Sequence, residues 1–344
     1  MAYSSIAKPT DYFNTVLYTG TGSSNSVTGV GFQPDWVWLK KRNSTGNHFI
    51  YDAVRGVQET IYTDATSAEA TQSQGLTAFG ADGFTVGTNT NINGSSNTNV
   101  SWNWLAANGT ASNSDGSITS TVSANTTAGF SIVSYTGNGT DDATVGHGLS
   151  QKPDMVIIKA RENTSSWATW HKNLTGSDYL LFLDATDAQS QYTTILKNQS
   201  STVLTLGTNS ASNANGQGFI AYCFAEKTGY SKIDSYTGNG NANGAFVYTG
   251  FKPAWLMIKR TDASGHYWHV YDNKREPFNP VGKVLYPNRS DAEYAGSNRP
   301  DLLSNGFKNR SGNTDINASG GTYIFMAFAE SPFVNSNGVP NNAR

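Results

Sequence analysis

A proline turn that opens into an unbroken apolar run occurs three times in this chain, and no other feature narrows the fold as far. In the middle copy, residues 148–161, Lys152-Pro153-Asp154 leads into Met155-Val156-Ile157-Ile158, closed by Lys159 and Arg161. The first copy reads Gly31-Phe32-Gln33-Pro34-Asp35-Trp36-Val37-Trp38-Leu39-Lys40, the third Gly250-Phe251-Lys252-Pro253-Ala254-Trp255-Leu256-Met257-Ile258-Lys259. Proline fixes φ and has no N–H to give a ladder, so it belongs just before a strand. Four apolar residues in a row fit a strand buried on both faces or a piece of buried helix. The short length and the β-branched and aromatic content select the strand.

The repetition extends well beyond this motif, and self-similarity decides the architecture. Each copy opens on a strand that ends in a glycine turn: Tyr18-Thr19-Gly20, Tyr135-Thr136-Gly137 and Tyr236-Thr237-Gly238. After the Pro-led strand comes an aromatic one: His48–Asp52, Trp167–His171 and Trp268–Asp272. A short variable strand, a late strand and Asn-rich turns then lead to a closing strand, Val100–Ala106, Phe219–Glu226 or Tyr323–Glu330. The alternation of Trp102 with Trp104, and of Tyr222 with Phe224, puts aromatics on one face of the closing strand. About six or seven short strands in ~100 residues, joined by turn chemistry, describe a small antiparallel β-sandwich.

The expected organisation is all-β, with three tandem antiparallel β-sandwich units at 1–107, 129–227 and 228–334, and a C-terminal tail at 335–344. Residues 108–128 are almost wholly polar and read as a solvated tether or, through Ile118 and Val122, one exposed edge strand. Such units are expected to bury themselves as beads on a string. Copy one is expected to pivot, and copies two and three, joined only by Lys227-Thr228-Gly229, to form a rigid pair.

The net charge of −2 leaves no electrostatic footprint for nucleic acid. No apolar run approaches the length of a spanning helix, and Met1–Ile6 lacks the regions of a signal peptide, so neither membrane insertion nor secretion is expected. Asn-x-Ser/Thr triplets at Asn43, Asn138, Asn163 and Asn173 carry little weight in so Asn-, Ser- and Thr-rich a chain. The single cysteine, Cys223, excludes an intramolecular disulfide and reads as a small buried hydrophobe.

The residues offer no catalytic signature. His48, His147, His171, His266 and His269 form no His-x-His or His-Glu-x-x-His spacing. His266 and His269 lie three apart, which in a strand points them to opposite faces. No nucleophile elbow, P-loop or dinucleotide fingerprint is present. Asp141-Asp142 sits in a glycine turn that lacks a regular Ca²⁺-ligand pattern. The chain reads as non-enzymatic, with no catalytic residue, no metal and no cofactor.

Binding is the stronger expectation. The repeated tryptophans Trp36, Trp38, Trp167, Trp170, Trp255 and Trp268 read chiefly as core. The glycine-turn loops are better placed for contact, with Tyr135, Asn138, Asp141 and Asp142 in copy two and Tyr236, Asn239 and Asn241 in copy three as candidate ligand contacts. The same residues also make ordinary turns. Basic residues gather in copy three, where Lys274, Arg275, Arg289 and Arg299 are candidates for docking a partner. That copy also carries the longest insertion, Pro277–Arg299, and is the one expected to be specialised.

Several stretches resemble a known family. They are Lys8–Gly20 with Gly29–Asp35, Ser134–Gly139 with Gly146-His147-Gly148-Leu149, and Tyr323–Phe333 with Asn342-Ala343-Arg344. These are similar to tandem-repeat structural proteins of tailed, marine-type bacteriophages, whose module, of unknown function, is described as concanavalin-like, jelly-roll or SPRY-like. The resemblance covers essentially the whole chain. It implies a virion protein made in the host cytoplasm, whose partners are other capsid or tail proteins and its own copies. It names no catalytic residue. A capsid decoration or tail-associated component is the first expectation; a lectin-like protein that recognises host surface glycans is the alternative. Ala254 departs from the pattern, standing where Asp35 and Asp154 stand in the other copies.

Overall fold

The apolar runs are explained by strands buried on both sides. The computed structural model describes residues 4–296, 299–334 and 337–340, so Ser297, Asn298 and most of the tail at 335–344 lie outside the described residues. Strand makes up 44% and helix 3%, an all-β fold. One strand order occurs in three large antiparallel sheets. It is Phe13–Thr19, Thr98–Trp104, Trp36–Lys41, His48–Asp52 in the first and Phe130–Thr136, Gly218–Phe224, Met155–Ala160, Ala168–His171 in the second. The third runs Ser231–Thr237, Thr322–Pro332, Phe251–Arg260, His269–Asp272. In each, the closing strand lies between the opening and Pro-led strands.

A three-stranded sheet stands over one face of each large sheet, with a separate core between the two layers. In copy one that core holds Val37, Leu39 and Phe49 of the large sheet with Val27, Phe84 and Leu76 of the small one. Copies two and three build the same layer around Val156, Ile158 and Leu204, and around Leu256, Ile258 and Phe307.

The opposite faces of the three large sheets meet in one central core. It contains Trp36, Trp38, Trp102 and Trp104 of copy one, Ile157, Tyr222 and Phe224 of copy two, and Trp255, Met257 and Phe328 of copy three. Period-two alternation thus sends odd and even residues of the same strand into different cores. Trp36 meets Tyr222 at 4.8 Å, Trp104 meets Trp255 at 5.6 Å and Phe224 meets Phe328 at 6.2 Å between ring centroids, so all three boundaries are aromatic. Such pairs contribute roughly 0.5–1.5 kcal/mol each beyond their buried area.

Beads on a string, with copy one free to pivot, is therefore not what the chain builds: each sheet needs the other two to cover its inner face. The repeated tryptophans are core, as expected; Trp36, Trp38, Trp167, Trp170, Trp255 and Trp268 are all buried. The polar stretch 108–128 is not a tether. It forms two strands, Ala111–Asn113 and Ser120–Asn125, that extend the second large sheet, with Ile118 and Val122 in the second copy's core. At the chain's start, Phe13 stacks on Phe328 at 5.0 Å, joining the first opening strand to the last closing strand.

The Pro-led turns also divide. Asp35 accepts hydrogen bonds from the N–H groups of Ala106 and Asn108, and Asp154 from that of Glu226, where the closing strand leaves the sheet. Copy three, with Ala254, has no such carboxylate, and its Pro-led and closing strands run on to pair Phe251 with Pro332. Pro253 sits at the register shift in that pairing, where no ladder donor is required.

Candidate functional site

The candidate loops are pinned from beneath by buried asparagines. Asn93, Asn213 and Asn317, each fully buried, close short turns before the closing strands. Asn213 donates to the carbonyls of Thr140 and Gly207, both at 2.8 Å, and accepts from the N–H of Asn138. Asn93 and Asn317 bind their own loops in the same way. The turn tyrosines serve the same anchor: Tyr18, Tyr135 and Tyr236 donate to the carbonyls of Ile92, Ser212 and Ile316.

Tyr135 is thus not a ligand contact but a buried strut, its hydroxyl pKa pushed far up by burial. Tyr236 is half-buried and stacked on Tyr323. Asn138, Asn239 and Asn241 remain exposed, but each accepts the N–H two residues on and shapes its own turn. Asp141 and Asp142 share one cation: Lys197 Nζ lies 2.7 Å from Asp141 and 2.9 Å from Asp142. The Lys197 hydrogen bond holds the Asp141 carboxyl below its usual range. Among the described residues no group of three or more His, Cys, Asp or Glu is placed to hold a metal ion.

The basic residues of copy three separate likewise. Arg275 is buried and cannot dock a partner: its Nε pairs with Asp272 at 2.5 Å. Lys274 and Arg299 are exposed, Arg299 donating to the Gly296 carbonyl. Arg289 lies over the rings of Tyr267 and Tyr286, at 4.6 and 5.8 Å from their centroids. His266 and His269 do not point apart, because His266 precedes the strand and escapes its alternation. Both approach Asp315, His266 Nδ1 at 2.6 Å and His269 Nε2 at 3.8 Å. Burial lowers the His269 pKa to about 4. Cys223 is buried as expected, its thiol pushed up to about 12 by burial.

The largest concentration of buried polar chemistry lies at the junctions between sheets, and the sequence reading missed it. Lys40, Lys159 and Lys259 are the penultimate residues of the three Pro-led strands and are completely buried. Each ammonium donates to the carbonyl of the next residue of its strand and to a loop of another copy. Lys159 reaches Thr66 of copy one at 3.2 Å, Lys259 reaches Thr186 of copy two at 3.3 Å, and Lys40 reaches Ser290 of copy three at 3.3 Å. Burial lowers all three pKa values to about 8. The contacts run two to one, three to two and one to three, closing a ring.

Indole groups follow the same path, Trp167 Nε1 donating to Tyr62 O and Trp268 Nε1 to Phe182 O. Three further bonds cross the junctions: Tyr222 OH to Asp52 at 2.7 Å and Trp102 Nε1 to Asp272 at 3.0 Å in the same sense, and His171 Nε2 to the Phe325 carbonyl at 3.3 Å in the opposite one. The signal was in the sequence, since a lysine closes every copy of the apolar run. It reads as the polar end of a strand until the neighbouring sheet is in place.

The profile of a family described as a domain of unknown function (DUF7483) matches residues 8–332, through all three copies, and the chain belongs to that family. No curated protein and no solved structure matches it.

Proposed function

We propose that this protein is a non-enzymatic structural component of a bacteriophage particle, exposed on its surface as a capsid decoration or tail-associated protein. One observation carries the reading: the three large sheets share a single core, and the buried lysines, Asp–Arg pairs and indoles are spent on closing the ring between them. Such a body holds its loops in fixed positions, as a surface building block requires. The resemblance to tandem-repeat virion proteins supplies the particle. No helix among the described residues is long and apolar enough to cross a membrane.

The test is mass spectrometry of purified particles followed by immunogold labelling with antibody against copy three. Gold over the head would assign decoration, and gold confined to the tail would assign the tail. Absence from the particle by mass spectrometry overturns the reading. Glycan recognition is a second reading, favoured by a cleft in copy three.

A further inference from the structure

A chain that folds the same loop three times supplies its own control. Two backbone features align the segments 65–71, 185–191 and 289–295. The carbonyls of Thr66, Thr186 and Ser290 each receive a buried lysine. Three residues later the N–H groups of Glu69, Gln189 and Glu293 donate to the carbonyls of Arg161, Thr261 and Arg42. In this register Arg289 stands where copies one and two have Ala65 and Ala185, and Tyr294 where they have Ala70 and Ser190. Tyr267 precedes its aromatic strand where Asn47 and Ser166 precede theirs. Copies one and two close the ring with small residues, so the fold does not call for the large ones.

In copy three Arg289 and Tyr294 line a cleft of about 520 Å³, with Thr45 of copy one on its rim. Arg289 is held over Tyr267 and Tyr286 and pairs with Asp291, leaving both members partly exposed. Tyr294 is 56% exposed. The other exposed large aromatics among the described residues, Phe246, Tyr248 and Phe278, also lie in copy three. The charges in the cleft cancel: Arg289 faces Asp291, and Glu293 is consumed by Arg42 and Arg275.

We infer that this cleft binds a neutral saccharide. The exposed Tyr294 ring fits the apolar face of a pyranose, and the Asp291–Arg289 pair offers adjacent acceptor and donor groups to vicinal hydroxyls. A charge-compensated cleft gives no preference for an anion. The inference goes beyond the particle assignment and is tested independently of it, on the purified chain.

The experiment is ligand-observed NMR of the full chain against glucose, galactose, mannose, N-acetylglucosamine, N-acetylgalactosamine and their disaccharides, with glucuronic and sialic acids as anionic probes. At least one neutral sugar is expected to bind with a Kd of about 1 mM or tighter. Arg289→Ala and Tyr294→Ser restore residues that copies one and two already carry, so their melting temperatures should stay near wild type while the Kd rises roughly tenfold or more. Tyr294→Phe should keep binding. Failure of every neutral sugar to bind, binding confined to the anionic probes, or binding indifferent to both substitutions would overturn the inference.

Discussion

Two junctions of the ring are closed by a buried ion pair at a position where the third uses histidine and leucine. At the junction of copies one and two, Asp52 pairs with Arg55 at 2.5 Å, both fully buried, and Glu69 joins Arg55 to Arg161. At the junction of copies three and one, Asp272, Arg275, Glu293 and Arg42 repeat the arrangement. At the remaining junction His171 replaces the aspartate and Leu174 the arginine, while Gln189 and Thr261 stand for the glutamate and the outer arginine. The backbone closure is the same in all three. The geometry is therefore set by sheets and loops, and the charges are one of two solutions to filling it. Burying an ion pair costs nearly as much desolvation as its attraction returns, so a neutral pair can serve equally well.

The largest expected effect comes from breaking one charged junction halfway. Arg55→Leu leaves Asp52 buried opposite Tyr222 without its cation and should cost about 3–5 kcal/mol in chemical denaturation. A loss below about 1 kcal/mol would show that the pair does not hold that junction.

Acid should weaken the neutral junction through His171. Burial lowers the His171 pKa to about 3, with Nε2 donating to Phe325 O and Nδ1 accepting from Asn173 N–H in the neutral ring. The unfolded chain takes up the proton near pH 6.5 and the folded chain does not. The stability His171 contributes is thus present above pH 6.5 and lost as pH falls toward 3. Wild type should lose up to ~1.4 kcal/mol per pH unit more than His171→Gln over that window. Parallel pH profiles for the two proteins would refute this.

Tyr222→Phe removes one donor from Asp52 while Arg55 remains, and should cost about 1.5–3 kcal/mol. The mildest outcome is expected from the boldest change. Asp52→His with Arg55→Leu installs the third junction's pair at the first and should cost less than about 1.5 kcal/mol, well below Arg55→Leu alone. A double variant worse than the single would show that the two solutions are not interchangeable.

Much of the fold was legible because strand, turn and repeat signals are local. The Pro-led runs, closing strands and core tryptophans follow from alternation and turn chemistry over a few residues. Tyr135 and Arg275 were misread as contact residues because a tyrosine beside a glycine turn and an arginine in a basic stretch look exposed until the folded chain covers them. Tyr135 is covered by the turn at Ser212, 77 residues on, and Arg275 by the Asp272 carboxylate held at the junction with copy one. The Arg289 and Tyr294 cleft was readable only in outline, as divergence within copy three. Its register needed the hydrogen bonds of the Ser290 and Glu293 backbones.

By itself the sequence determined the strands, their two-sided burial and their threefold repetition, since each is written in neighbouring residues. Which apolar face belongs to a copy's own sandwich and which to the common core was decided only in three dimensions. Trp36 and Val37 are adjacent in sequence and both buried, yet one faces Tyr222 of another copy and the other its own small sheet. Alternation separates the two faces of a strand but does not say what covers each. That depends on sheets more than a hundred residues apart closing around one another, which also turns three strand-end lysines into the inward bolts of a ring.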